Sequence, residues 1–583
     1  MRSSLSIIAL ALPLVLLLMV AVACGSGGDS SPVELPTASV APEATPAPSA
    51  PPAVSSGVCP GSESATIASP PLVPALPGGS VITVDSTGDN NERDSKLTLR
   101  EAMLVATGHL SAADLGEGEK DNVASAGQAG PGAGFADVIV FDAGVFGGDG
   151  ATIKLTETLP PLGTGGDTVD GGDNIVTVDG GGQENTEAGA VRVGGVGAGF
   201  IISSDSNTIR GLRLYNFSVD AVRISGTTTS AKENTIGPGN VISANHFALY
   251  VVGPTAEGNR IIGNFLGVDP SGAEAMPNDH AMWMTGDAHD NTIGGTTPEE
   301  RNIVSSNIFS GMTFWTAHRN HIIGNYFGTD VTGMKAVGKG RSAIRVDVGG
   351  SDNIFGGTAP GERNIFAGGN AIGIEFSGRT ETTGNKIIGN WIGLDATGRA
   401  ALGNGIGVAI FESMDGETFW PPGPFENVVG GLEPGERNVI SGNKGAGVSI
   451  ANADHNTILG NYIGTDCEGK TSIPNGEGVS LRDRSKENVV GPGNIISGNG
   501  GNGIGIIGVE TFGNIVIGNF IGANADEGPL GNGRYGVFIE GPAKDNLIGG
   551  SDGDANVIAY NSGGAIVTEG SSGNSTDGNT VIN

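Results

Sequence analysis

From Asn207 onward the apolar residues fall in short clusters, each closed by Gly, Asn or Asp, and the clusters recur in sets of three. In the set that opens at Asn456 they are Thr457-Ile458-Leu459, Tyr462-Ile463 and Val479-Ser480-Leu481. An Asn opens each set as Asn-x-Ile or Asn-x-Val, at Asn207, Asn234, Asn259, Asn291, Asn320 and so on to Asn546 and Asn579, with a mean period of about 31 residues. Runs this short and this rich in Ile and Val suit strands rather than helices. They are too short for hairpin sheets, so each is expected to pair with its equivalent one period away, at about 4.8 Å. That predicts an all-β solenoid, a right-handed parallel β-helix with three strands per coil. A six-residue beat, a longer blade repeat or a leucine ladder would point to other repeat folds, and none is present. Asn at each bend tolerates the left-handed backbone, and stacked Asn side chains hydrogen-bond along the axis.

A second layer doubles the period. Segments such as Ile322-Ile323-Gly324-Asn325-Tyr326-Phe327-Gly328-Thr329-Asp330 alternate with segments such as Glu300-Arg301-Asn302-Ile303-Val304, so coils come in pairs of about 60 residues. Ahead of the repeats, residues 80–206 hold irregular strands, among them 81–84, 138–141, 152–155 and 176–179. Leu99, Ala102, Met103 and Ala106 keep helical spacing over residues 97–106, which predicts a short amphipathic helix able to cap the open end of the solenoid. The repeats, residues 207–583, close on Asn579-Thr580-Val581, the opening of a further coil, and leave that end open.

Composition adds a location. Residues 24–79 are rich in Ser, Pro and Ala and carry too many prolines for helix or strand, so they read as an extended tether. Residues 1–23 hold Arg2 and an apolar run, Ile7 to Val22, too short for a membrane span and followed by small residues, as in a signal peptide. Small residues directly before Cys24 resemble the bacterial lipoprotein signal. That resemblance implies lipidation of Cys24 and an exported protein anchored at the cell surface; an ordinary signal peptide with an incidental Cys would imply a secreted one. Cys59 and Cys467 are too few for a disulfide framework, and a pair between them stays open. The formal charge of −32, from 62 acids and 30 bases, argues against nucleic acid as a partner.

Candidate chemistry is sparse. Asp269, Asp330, Asp395 and Asp466 recur at one place in every second coil, with Asn524 in the last copy. Their spacing of about 10 Å is too wide to share a Ca²⁺, so they read as turn-forming residues with at most weak calcium binding, and no cofactor or metal ligand set is assigned. Glu300-Arg301, Glu362-Arg363 and Glu436-Arg437 read as surface ion pairs between repeats. The third strand of each coil reads Gly/Ala, apolar, x, apolar, and alternation turns x outward. In late coils x is small, as at Ala409, Ser449, Ser480 and Gly505. In early coils the column is Arg223, Tyr250, Trp283, Thr313, Arg345 and Glu375, with His280, Trp315, His318 and Asp347 nearby. Aromatic faces stack on sugar C–H surfaces while charged groups bond hydroxyls or carboxylates, so Arg223, Tyr250, Trp283, Trp315, Arg345, Asp347 and Glu375 form the candidate glycan-binding face. An aromatic insertion, Phe411 to Phe425 with Trp420, lengthens one coil beside it.

The strand, acidic stretch and Leu97-Thr98-Leu99-Arg100-Glu101-Ala102-Met103 together resemble the CSLREA-type segment that opens bacterial surface β-helix proteins, with Leu97 in place of that family's Cys. The resemblance implies a surface role. Parallel β-helices also include pectate lyases, polygalacturonases and alginate epimerases, but their catalytic patterns are incomplete here: Arg484-Ser485-Lys486 and Asp279-His280 stand isolated, and Asp269-Pro270 continues to Ser271. Three readings follow. The first is a polysaccharide- or matrix-binding surface protein without catalysis. The second is a polysaccharide lyase or uronate epimerase, with Tyr250, His280, His318 or Arg345 as base or proton donor and Arg223 or Arg345 neutralising charge. The third is a structural spacer or adhesin without a small-ligand site.

Overall fold

Apolar side chains that recur once per coil stack on themselves, and in the computed structural model they fill the interior of a right-handed parallel β-helix. The structure describes residues 79–583 except 126–130, 133, 186–190, 339, 370, 379–381, 413–422, 434, 551–552 and 583. Chain contacts divide residues 1–47 from 48–583, and every described residue belongs to the second unit. The signal peptide, Cys24, the tether and the Trp420 part of the insertion lie outside the described residues.

The described strands form three large sheets of 16, 15 and 13 strands and one small antiparallel pair, Gln183–Asn185 with Val191–Val193, and almost every pairing in the large sheets is parallel, between strands one coil apart. Ile293, Ile322, Phe355 and Ile387 stack in the first sheet, Val304, Phe327, Phe366 and Ile392 in the second, and all are essentially inaccessible to solvent. Phe327 and Phe366 stack ring on ring at 4.7 Å.

Strands of the second sheet are often two residues long, so strand pairing alone fixes few atoms. The corners carry the rest of the register, through ladders of buried Asn. Asn320 donates both its backbone N–H and its Nδ2 to Oδ1 of Asn353, each at 3.0 Å, and Asn353 does the same to Asn385. A second ladder runs Asn325, Asn364, Asn390, Asn438, Asn461, and a third Asn404, Asn443, Asn475, Asn499, Asn532. Each rung satisfies corner amides that no strand partner reaches, where an unpaired buried group would cost about 1–3 kcal/mol. Asn579 belongs to the second ladder, as acceptor from Asn556 at 2.9 Å; the partner of Asn546 is Asn574. Asn precedes an apolar strand in both columns, so the triplet pattern alone cannot tell them apart.

Helix Leu99–Ala106 lies at the start of the solenoid, its Leu99, Ala102, Met103 and Ala106 buried in the main core. Thr98 caps it: its hydroxyl accepts from Glu101 N while the Glu101 carboxylate accepts from Thr98 N. Arg100 pairs with Asp89 at 2.8 Å and donates to the carbonyls of Glu157 and Thr158, so the Arg-Glu of this segment is structural. Strand Ser80–Val84 pairs parallel with Val138–Phe141 and antiparallel with Val123–Ser125, which covers the first sheet's edge.

The second sheet is covered outside as well as inside. Phe265, Tyr326, Trp391 and Tyr462 form a second apolar cluster on its outer face. Here the expected Glu-Arg ion pairs need correction. Arg301, Arg363 and Arg437 lie over Tyr326, Trp391 and Tyr462 at 4.0, 4.3 and 4.1 Å, and each donates Nε to the carbonyl of Gly324, Gly389 or Gly460. The glutamates accept from backbone amides of their own turns, Thr296, Ala359 and Glu433, and Glu300 also pairs with Arg260 of the neighbouring coil at 2.7 Å. A guanidinium gains more from a ring face and a buried carbonyl than from an exposed carboxylate.

The turns that carry the Asp column add a contact that the expected spacing does not include. The turns that follow Asp269, Asp330, Asp395 and Asp466 lean over the intervening coil and bond directly to one another, Val331 N to Gly272 O at 2.9 Å and Ala396 N to Gly333 O at 3.0 Å. The role is that of turn formers. Oδ1 of Asp330 accepts from Met334 N and Lys335 N, that of Asp466 from Glu468 N and Lys470 N, and Asn524 does the same for Asp526 N and Gly528 N. Among the described residues no group of three or more His, Cys, Asp and Glu is placed to hold a metal ion. Cys467 is disulfide-bonded.

Candidate functional site

With the second sheet covered on both faces, exposed chemistry is left to the other two. The outward column of the first sheet reads Thr292, His321, Ile354, Lys386 and Val428 in register, with no run of rings. The third sheet differs. Its six-residue strands Asp220–Ser225, Phe247–Val252, His280–Thr285, Ser310–Trp315, Ser342–Asp347 and Ile372–Ser377 pair in order. They align Arg223, Tyr250, Trp283, Thr313, Arg345 and Glu375 in one column, as expected.

Alternation slips once in each of these strands. In His280–Thr285 both Ala281 and Met282 are buried, which turns His280 and Trp283 to the same outer face with their rings 5.2 Å apart. The small second residue of the strand, Ala or Gly, permits this. A second outward column results: Asp220, Phe247, His280, Ser310 and Ser342. Strict period-two reading misses Phe247, Ser310 and Ser342 for this reason, with the small residue after each as the available signal, while Phe309 and Arg341 lie just ahead of their strands.

Together the columns build a continuous aromatic row. Phe247 stacks on His280 at 5.1 Å, His280 on Phe309 at 5.3 Å, and Trp283 on Trp315 at 6.0 Å. Phe309 and Trp315 keep 42 % and 39 % of their surface in solvent, high for rings that touch others. Beside the row the short side chain of Thr313 stands between Trp283 and Arg345 and leaves a cleft of about 310 Å³. Trp283, His280 and Phe309 form one wall, Arg341 and Arg345 the other, and the hydroxyls of Ser310, Thr313 and Ser342 lie between them. A depression of about 240 Å³ near Gly172, Arg213 and Phe265 is lined mainly by glycine turns and offers no such platform.

The polar groups are strongly committed. Arg345 pairs with Asp347 at 2.6 Å, lies 3.5 Å from Glu375 and donates Nε to Ser377 Oγ. Arg341 approaches Glu375 at 3.4 Å. Glu375, expected to face solvent, is fully buried against these two arginines, and Thr313 is buried with its hydroxyl on Ser310. Arg223 pairs with Asp220 at 2.6 Å and lies 5.5 Å over the Tyr250 ring. Burial raises the Tyr250 phenol above its ordinary value, against the nearby Arg223 charge. Burial, helped by the charges of His246 and Arg345, pushes the His280 imidazole down to about 4, so it is neutral near pH 7, with Nδ1 on Ser310 Oγ at 2.9 Å. His318 stands apart, in the turn after Trp315, bonded to Ser351 Oγ and 3.6 Å from Asp287.

No protein-family model and no curated protein matches this chain. Among solved structures it is similar to the A-module of the Azotobacter vinelandii mannuronan C-5 epimerase AlgE4, at 12 % identity and a TM-score of 0.30, covering 84 % of this chain and 97 % of that one. It is also similar to the Dettilon tailspike protein gp208, at 13 % and 0.36, covering 70 % and 63 %. A third is the catalytic domain of a GH87 alpha-1,3-glucanase, at 11 % and 0.34, covering 76 % and 64 %. Likeness at this level assigns no activity to these residues.

Proposed function

We propose that the outer face of the third sheet binds polysaccharide without turning it over, on an exported protein that a lipid at Cys24 holds at the cell surface. The observation that carries this reading is the aromatic row from Phe247 to Trp315, flanked by the hydroxyl-bearing cleft at Thr313. Ring faces and hydroxyls at fixed spacing on a stiff solenoid match the alternating C–H and O–H surfaces of a sugar chain, with little ordering cost on the protein side. Binding is favoured over lyase or epimerase chemistry by the state of the candidate groups. The Tyr250 phenol holds its proton more tightly than usual, and Arg345 is already neutralised by Asp347.

Titration of an oligosaccharide panel against tryptophan fluorescence tests the proposal. Trp283→Ala is expected to weaken binding about tenfold, since a ring stacking contact is worth about 0.5–1.5 kcal/mol beyond its area. No response to any glycan would sink the binding reading. Accumulation of an unsaturated, ultraviolet-absorbing product, lost in Tyr250→Phe, would replace it with the lyase reading.

A further inference from the structure

The charge balance of the cleft narrows its ligand, an inference that rests on the glycan-binding reading above. Each arginine around the cleft and row already has a carboxylate: Arg223 has Asp220, Arg341 has Glu375, and Arg345 has Asp347 with Glu375 close by. Asp279, on His246 at 2.8 Å, adds a fourth acid, so four carboxylates stand against three guanidiniums. Three of the four, Asp220, Asp279 and Glu375, are at most 1 % exposed, and Asp347 is 4 % exposed. They cannot swing into solvent to release their arginines. An incoming uronate or sulfate would have to compete for a guanidinium and leave a buried acid without its partner, which is strongly unfavourable. Beyond the site, the chain's charge of −32 repels a polyanion at longer range.

What the cleft does offer is uncharged. Ser310, Thr313 and Ser342 line it with hydroxyls: those of Ser310 and Thr313 bond one another, with Ser310 Oγ also on His280 Nδ1, and Ser342 Oγ has no hydrogen-bond partner although it is buried. Trp283 and Phe309 supply apolar faces beside them. A hydroxyl with unused bonding capacity, that of Ser342, next to ring faces fits a pyranose that carries only hydroxyl groups. We infer that the cleft takes a neutral hexose polysaccharide and discriminates against uronate and sulfated chains.

The test compares neutral gluco- and manno-oligosaccharides with oligogalacturonate and oligomannuronate of equal length, by calorimetric titration at low and high salt. At least one neutral series is expected to bind at least about tenfold more tightly than either acidic one, and the acidic series to gain affinity as salt screens the repulsion. Asp347→Asn, which frees charge on Arg345, should raise the ratio of acidic to neutral affinity severalfold, with the melting temperature reporting that the fold survives. Arg341→Gln, at a mostly exposed side chain, should leave that ratio below one. If an acidic series binds more tightly than every neutral one and weakens with salt, the inference falls and glycan binding stands. If Asp347→Asn folds and leaves the ratio unchanged, the charge argument is overturned. If neither kind binds, the glycan-binding reading fails, and this inference with it.

Discussion

Asp167 offers a sharp test of how the ladders work. The first Asn ladder does not begin at Asn207. Two acids continue it toward the N-terminus, with Asp137 N donating to Asp167 Oδ1 at 3.2 Å and Asp167 N to Asn207 Oδ1 at 3.1 Å. An Asn at this rung would also donate Nδ2 to Asn207, as Asn207 does to Asn234 at 2.9 Å; a carboxylate cannot. Asp167 is completely buried. Burial drives its carboxyl up from an ordinary 3.8 to about 7, the charge of Asp137 adds to this, and the bonds from Asp137 N and Thr164 only partly oppose it. The folded-state value is raised, so the linkage contribution is fully present below the unfolded value and is lost as pH rises. Between about pH 4 and pH 7 the unfolded chain has released a proton that the folded chain retains, and stability falls. Three units at about 1.36 kcal/mol each give a ceiling of about 4 kcal/mol. Asp167→Asn removes the titration and supplies the missing donor, so it should stabilise the protein by about 1–3 kcal/mol at pH 8 and flatten the profile. Thermal melts of both proteins from about pH 5 to pH 8 read this directly. Hydrogen exchange at Thr168, whose amide bonds to Asp137 O, localises the effect to the first coils. The difference between the two proteins is the measured quantity, because Asp137 is also raised by burial and titrates in both. Parallel pH profiles for wild type and Asp167→Asn would refute the reasoning, and so would a variant less stable than wild type at pH 8.

Other expectations follow from the same geometry. Arg363→Ala uncovers Trp391 and orphans the Gly389 carbonyl, and chemical denaturation should show a loss of about 1–3 kcal/mol, only partly restored by Lys. Asp466→Asn should change stability by less than about 0.5 kcal/mol, because Asn524 already forms the equivalent turn, whereas Asp466→Ala should cost about 1–2 kcal/mol; a calcium-dependent melting temperature abolished by Asp466→Asn would restore a metal role to the column. Cys24→Ala should move the protein from the membrane fraction to the medium, and unchanged retention after fractionation would remove lipidation from the proposal.

The coil was legible because each turn restates it. Asn320, Asn353 and Asn385 mark the same corner in three successive coils, and a stack of like residues leaves a period that composition cannot disguise. The same repetition misled where two corners look alike, as with Asn579, or where a motif was searched for by residue type. Asp137-Val138-Ile139 and Asp167-Thr168-Val169 are rungs of the first ladder, hidden because Asp replaces Asn. Partners across coils were harder still. Arg301 and Tyr326 stand apart in sequence, and nothing in the Glu300-Arg301 pair says that the arginine belongs to a ring on the next coil.

The site was half visible, for a reason that bears on what it can bind. The column from Arg223 to Glu375 emerges from periodicity, but the cleft is not made by that column. It needs Thr313 to be short where Trp283 and Arg345 are long, and it needs the slip at Ala281 that brings His280 round beside Trp283. The first is a departure of side-chain size; the second is a slip of parity that late strands share, Gly447-Val448 and Gly478-Val479 being buried pairs, so what differs there is the side chain it turns outward. In the late coils the column shrinks to Ala409, Ser449 and Ser480, which are themselves buried, and no platform forms on the same strands. Shape is therefore specified by what every coil shares, and the cleft by the few residues in which early coils differ from late ones. A chimera that transplants Trp283, Thr313 and Trp315 into the late coils should keep the fold, whose inward residues it leaves alone. It should gain no cleft unless a ring also stands at the position of His280, which Ile406, Ala446 and Glu477 occupy in those strands.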